Sequence, residues 1–362
     1  MNTVPRLSLM MTLLALGCIM APDLDKYGYT ACGGHQDCVE TGRLCQSGYC
    51  TPPDWWDAAY AERRQITLRN TSDRAVPKGF PLRLGVGPDP RPFKREEFSA
   101  TARLVAIDRA AGAQVEQKVT VDVLSSLAFD VIVLSPAEIP AGGVFKDFYL
   151  YSAAPRDALG RTDARAEIFP LDDDFEADPP AISTVNWRTE GAVNLVDYAV
   201  VVLRTGYLWS NLELPATPGV LLTVEFQTDV NCDGLTMGLI SNSQRGYRTP
   251  AVVVTSSSPG EGVVQAQRAD NLLFEPDVPT PFLFTGATQR LDMLVSGADV
   301  RVSLDGTVVE SVELEEPITD DVRAHFFVDG ASCTLSIKKM RMRPALGNEP
   351  DVVAERKVLR PE

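Results

Sequence analysis

The sequence predicts an all-β protein: a small disulfide-rich module, then a β-sandwich, then a second, larger two-sheet domain. Three observations carry this. After residue 57 the apolar residues fall in short runs separated by Gly, Pro, Asn and Asp, several with the alternation of a half-buried strand. No long segment repeats its apolar residues with a helical period. Four of the seven cysteines crowd into residues 32–50. The 362 residues suffice for two or three domains, and a hydrophobic fraction of 44% can build their cores. With 34 Lys and Arg against 49 Asp and Glu, the formal charge is −15. That balance excludes a nucleic-acid partner, which needs a basic surface to displace phosphate counterions. The two histidines, His35 and His325, leave no room for a multi-histidine metal site.

At the N-terminus, residues 1–17 read as an export signal. Arg6 and the free amine supply positive charge, and residues 7–16 (LSLMMTLLAL) form an apolar run too short to span a bilayer. The run ends in Leu14-Ala15-Leu16-Gly17-Cys18, which resembles the lipobox of bacterial lipoproteins. That resemblance implies cleavage before Cys18, lipidation of Cys18, and a membrane partner reached through that lipid. An ordinary signal peptide cut elsewhere is the alternative. Several acyl chains anchor far more firmly than one. Ile19 stands where an Asp would resemble an inner-membrane retention signal, so the expected location is the outer membrane, on its periplasmic or cell-surface face. Residues 18–30 are then a lipidated linker. No later run reaches the length of a transmembrane helix.

Residues 31–51 form the cysteine-rich module, with Cys32, Cys38, Cys45 and Cys50. Export favours two disulfides of open connectivity. A zinc site is the competing reading, but it ordinarily uses C-x₂-C knuckles, which the cluster lacks. The cluster resembles short Cys-rich modules that follow lipoprotein signals in surface proteins of myxobacteria-like organisms, which implies a protease-resistant spacer. Cys232 and Cys333 remain as a distant pair. A bond between them would make their segments neighbours in one domain.

Residues 52–155 read as the β-sandwich. Strands are expected around residues 66–68, 82–84, 104–107, 119–123, 131–134 and 148–151. Val119, Val121 and Val123 alternate with polar residues, and the run from Val131 to Leu134 is apolar on both faces, hence central. The segment from Trp55-Trp56-Asp57 through Arg63 to Leu68 and Asn70-Thr71, closed by Ile139-Pro140-Ala141-Gly142-Gly143 and an aromatic strand, resembles a bacterial domain family of unknown function. That family usually precedes a laminin-G-like or concanavalin-like jelly roll. The Pro-rich loop at residues 87–92 departs from its pattern. Residues 156–171 are expected to be a linker.

Residues 172–345 resemble a concanavalin A-like jelly roll: Asp173-Asp174-Phe175-Glu176 leads into a first strand with Trp187 downstream. Leu222, Val224 and Phe226 share one strand face, and Asp305-Gly306 signals a hairpin. In the last strand the apolar parity shifts, from Leu335 and Ile337 to Met340 and Met342, which predicts a β-bulge at Lys338-Lys339. The polar tail, residues 346–362, is expected to be loosely ordered.

The chemistry is sparse. Retaining glycosidases of this fold place carboxylates on alternate residues of one strand. Glu313 and Glu315 share a face, but Pro317 follows and the middle Asp is missing, so a solvated edge is the expected state. His325 reads as a structural histidine on a strand. Asp229-Val230-Asn231-Cys232-Asp233-Gly234 matches half a calcium loop, with Ile240 where its bidentate Glu belongs. A calcium at Asp173, Asp174 and Glu176 would face Lys338 and Lys339. No catalytic residue, cofactor or metal is therefore assigned. Glycans stack on exposed aromatic rings, and Tyr207, Trp209, Arg245 and Tyr247 are the candidate ligand contacts. The expected role is non-enzymatic recognition or adhesion, the jelly roll touching a glycan or a surface protein. A structural subunit of an envelope complex and a polysaccharide hydrolase or lyase are the alternatives.

Overall fold

The computed structural model describes residues 30–88, 90–98, 101–124, 128–153, 164–176, 181–241, 251–258, 261–268, 271–274, 282–315 and 317–360. The export segment and Cys18 lie outside the described residues, as do Arg245 and Tyr247. Within the described residues the protein is built almost wholly from antiparallel strands. None of their helices is long and apolar enough to cross a membrane.

The cysteine-rich module is closed by Cys32–Cys45 and Cys38–Cys50. The sulfurs of Cys32, Cys38 and Cys50 lie within 4.8 Å of one another, as two adjacent disulfides require. The module is docked rather than a free spacer. Arg109 donates to the carbonyls of His35 (2.8 Å) and Arg43, and is held by Asp147 (2.7 Å). Burial pushes the Asp147 carboxyl up, against the pull of that guanidinium. The Tyr149 hydroxyl donates to Gly42 O at 2.7 Å. Gly42 sits at φ +66 with the Lys146 carbonyl and the Gln65 amide where a Cβ would be, so only glycine fits. Leu44 packs with Val105, Ile107, Tyr149 and Tyr151 under Trp55 and Trp56.

The first sandwich has a sheet ordered Asp351–Ala354, Glu62–Arg69, Val144–Ser152, Arg103–Asp108, Ala113–Glu116. Facing it is a three-stranded sheet, Pro81–Val86, Phe129–Leu134, Val119–Val123, with the doubly apolar strand in the middle as predicted. Asn70 joins the two motifs that carried the family resemblance. Its buried amide donates to the carbonyls of Arg74, Ile139 and Pro140, and its N–H to Gly143 O.

Two segments differ from expectation. Residues 164–171 are not a free linker: Ile168 and Phe169 pack on Ile132 and Leu134, around a short helix Arg165–Ile168. The tail is not loose either. After the last jelly-roll strand the chain crosses back, buries Leu346 in the first domain's core, and adds Asp351–Ala354 and Val358–Leu359 to the edge of Glu62–Arg69. Local propensity cannot show this, because a four-residue edge strand exists only through its partner. Leu346 is 3% exposed, so Leu346→Ala is expected to destabilise the first sandwich by about 3 kcal/mol, measured by urea unfolding.

The second domain packs two large sheets around one core. One runs Val193–Val196, Ala199–Val202, Leu335–Pro344, Val220–Thr228, Gln289–Ser296, Asp299–Leu304, Thr307–Glu313. The other runs Trp187–Glu190, Gly206–Ser210, Asp321–Val328, Leu235–Ser241, Ala251–Ser258, Glu261–Arg268, Asn271–Phe274. Leu222, Val224, Phe226, Met340 and Met342 of the first meet Leu208, Met237, Leu239, Val252 and Phe326 of the second. This is the predicted jelly-roll sandwich. Its predicted details are present too. Glu225 pairs with Lys339 but Phe226 with Ile337, so Lys338 is the extra residue of a bulge. Asp305 and Gly306 both have positive φ, 50° and 80°, as a primed hairpin turn needs. Cys232–Cys333 closes one end.

Candidate functional site

The face of the second sheet that points away from the core is the most distinctive surface. Its side chains follow from strand alternation. In Gly206–Ser210, Leu208 enters the core, so Tyr207 and Trp209 point outward and are half-buried. In Asp321–Val328, Phe326 and Val328 enter the core, so Asp321, Arg323, His325 and Phe327 point outward. Register sets them in rows. Trp209 lies opposite His325, flanked by Arg188 and Gly238; Tyr207 lies opposite Phe327, flanked by Glu190 and Thr236.

The Tyr207 and Phe327 rings stack, centroids 4.1 Å apart and planes 15° apart, and Tyr207 is 6.4 Å from the His325 ring. Gly238 leaves the position beside His325 without a side chain. Burial pushes the His325 pKa down to about 4, so the imidazole is neutral near pH 7. Its Nδ1 and the Nε of Arg323 are buried with no hydrogen-bond partner. Arg323 also pairs with Glu213. The predicted Tyr207 and Trp209 are thus brought together; Arg245 and Tyr247 fall in the connection from Ser241 to Ala251, outside the described residues. Phe327 and Arg323 were missed. The alternation that marked Tyr207 and Trp209 is present in Arg-Ala-His-Phe-Phe-Val as well, and would have found them.

Trp187 and the acidic candidates lie away from this face. Trp187 is a core residue whose indole N–H donates to Asp173 at 2.8 Å. Asp172 accepts from Arg341 at 3.0 Å and pairs with Arg165. Asp229 to Gly234 form a turn pinned by the disulfide, where Asp233 accepts from Ser332 and Gly234 donates to Ser256 O. Glu313 and Glu315 are exposed at the far edge of the other sheet. On the outward face, neither central strand presents two carboxylates among the described residues: one shows Asp321, Arg323, His325 and Phe327, the other Thr236, Gly238 and Ile240. A concavity of about 460 Å³ lies between the domains. Its side chains, among them Arg83, Asp122, Asp130, Arg290 and Glu349, are occupied by one another.

No protein-family model matches the chain, the segment at 54–153 included, and no curated protein matches it. Among solved structures the chain is similar to the carbohydrate recognition domain of Emp47p, with 12% identity over 48% of this chain and 94% of that one, TM-score 0.40. It is similar to a Bacillus licheniformis β-glucanase, with 10% identity over 48% and 98%, TM-score 0.39. A third is the exoplasmic/lumenal domain of VIP36 in its Ca²⁺/Man3GlcNAc-bound form, with 11% identity over 44% and 86%, TM-score 0.34.

Proposed function

We propose that the protein is a non-enzymatic lipoprotein of a bacterial outer membrane that recognises glycans through the outward face of its jelly roll. The observation that carries this is the grouping of Tyr207, Trp209, His325 and Phe327, half-buried, on the face of two adjacent strands opposite the one that supplies Leu208, Phe326 and Val328 to the core. Ring faces of this kind bind the apolar faces of sugars, and the polar groups among them fix orientation. A retaining glycosidase would need two carboxylates about 5–5.5 Å apart, and the central strands present no such pair among their described residues. The lipobox at Cys18 and the oxidised cysteines support export and anchoring.

The test uses the full chain with Cys18→Ser, which prevents lipidation, on a glycan array. Binding is expected, and Tyr207→Ala and Trp209→Ala should each weaken it at least tenfold, about 1.4 kcal/mol, with unchanged circular dichroism. Absence of glycan binding together with co-purification of an envelope protein would make the face a protein contact instead. Mass spectrometry of the native protein checks the lipid on Cys18; an unmodified thiol would overturn the anchoring.

A further inference from the structure

The two orphaned atoms on the outward face narrow the ligand. His325 Nδ1 and Arg323 Nε are buried, lack partners, and belong to residues two apart on one strand, about 7 Å along it. Buried polar groups are rarely left unpaired, so these two await groups from outside the chain. We infer that the face takes a neutral, polyhydroxylated glycan whose hydroxyls pair with His325 and Arg323; this rests on the glycan reading above.

Two arguments favour hydroxyls over acidic groups. A hydroxyl both donates and accepts, so it satisfies a neutral imidazole nitrogen in either tautomer, and it also accepts from a guanidinium N–H. A carboxylate or sulfate only accepts, and suits His325 in one tautomer alone. The second argument is charge. An acidic glycan needs a net positive field. Here Arg323 is already paired with Glu213; Arg188 beside Trp209 acts on it as a like charge, and the same face also carries the acidic Glu190 beside Tyr207 and Asp321 at the strand end. Burial keeps His325 uncharged near neutral pH. The chain as a whole carries −15.

An array holding both neutral and acidic glycans, probed at pH 7 with the full-length Cys18→Ser chain, tests this. Binding is expected on neutral glycans. For the best of them, titration calorimetry should show at least a tenfold loss with His325→Ala and a partial recovery with His325→Gln, which keeps a polar group there. Glu213→Gln, which uncovers the charge of Arg323, should add binding to acidic glycans. Binding restricted to acidic glycans would overturn the neutral ligand and leave the glycan reading standing. Neutral binding indifferent to both His325 variants would overturn the role of His325. Binding to no glycan would overturn the glycan reading itself.

Discussion

Replacing Cys232 and Cys333 together by alanine is expected to destabilise the jelly roll by about 4–5 kcal/mol. The bond spans 101 residues, and closing a loop of that size removes much entropy from the unfolded chain. Its position adds to the effect. Cys232 lies between Val220–Thr228 and Leu235–Ser241, which belong to opposite sheets. Cys333 lies between Asp321–Val328 and Leu335–Pro344, which also belong to opposite sheets. The disulfide therefore ties two sheet-to-sheet crossovers at one end of the sandwich. The backbones there touch: a Cβ on Gly330 would run into the carbonyl of Asp233. Ser256 donates its hydroxyl to Cys232 O at 2.6 Å, so the turn keeps a hydrogen bond when the sulfur is gone. Urea unfolding of wild type and the double variant, each with and without reductant, checks the prediction. Reductant should lower the wild-type midpoint to near that of the variant. A variant within 1 kcal/mol of wild type would show that the crossovers hold without the bond.

Alternation and turn chemistry made much of the second domain legible. The bulge at Lys338 could be read because Met340 and Met342 had to reach the same core as Leu335 and Ile337, and a strand changes parity only by an extra residue. The candidate face was half legible. Tyr207 and Trp209 alternate with Leu208, but all three are apolar, so periodicity says that they oppose Leu208 without saying which side is core. That decision belongs to the facing sheet, and it was made by Leu222, Phe226 and Met340 on the other side of Leu208. Two other features depend on contacts far apart in sequence. Asp351–Ala354 becomes a strand through Glu62–Arg69, more than 280 residues earlier in the chain than its own ends. Asp122 alternates with Val121 and Val123 as a solvent-facing residue would, yet it is buried, because the polar face of its strand is covered by the second domain.

That burial makes Asp122 the centre of the second large effect. Its carboxylate meets Arg341 at 2.5 Å and Arg290 at 3.0 Å, both from the jelly roll. Arg341 also reaches Asp172 and lies 5.1 Å over the Phe169 ring. Arg290 also reaches Asp292, which accepts from Thr223 at 2.6 Å. A parallel set joins Arg83 of the first domain to Glu349, which Arg343 holds at 2.8 Å. Burial alone would raise the Glu349 carboxyl, but Arg343 and Arg83 outweigh it and hold the group below its ordinary value. Asp122→Ala removes the carboxylate that both guanidinium groups share at a covered interface and leaves each with one partner, Asp172 for Arg341 and Asp292 for Arg290, and it is expected to cost about 2–3 kcal/mol. Lys118 and Glu167 form the contrasting pair. Lys118 precedes the strand of Asp122 and meets Glu167 on the short helix Arg165–Ile168, and the two are 53% and 49% exposed, so Lys118→Ala should cost no more than about 1 kcal/mol. Calorimetry of both variants separates the cases. Wild type should unfold in one transition, since the interface and the returning tail couple the domains. Asp122→Ala should lower that transition or split it in two, and Lys118→Ala should leave it in place. If Asp122→Ala were as mild as Lys118→Ala, the domains would be joined by the tail strand and Leu346, and the arginine network would contribute little to holding them together.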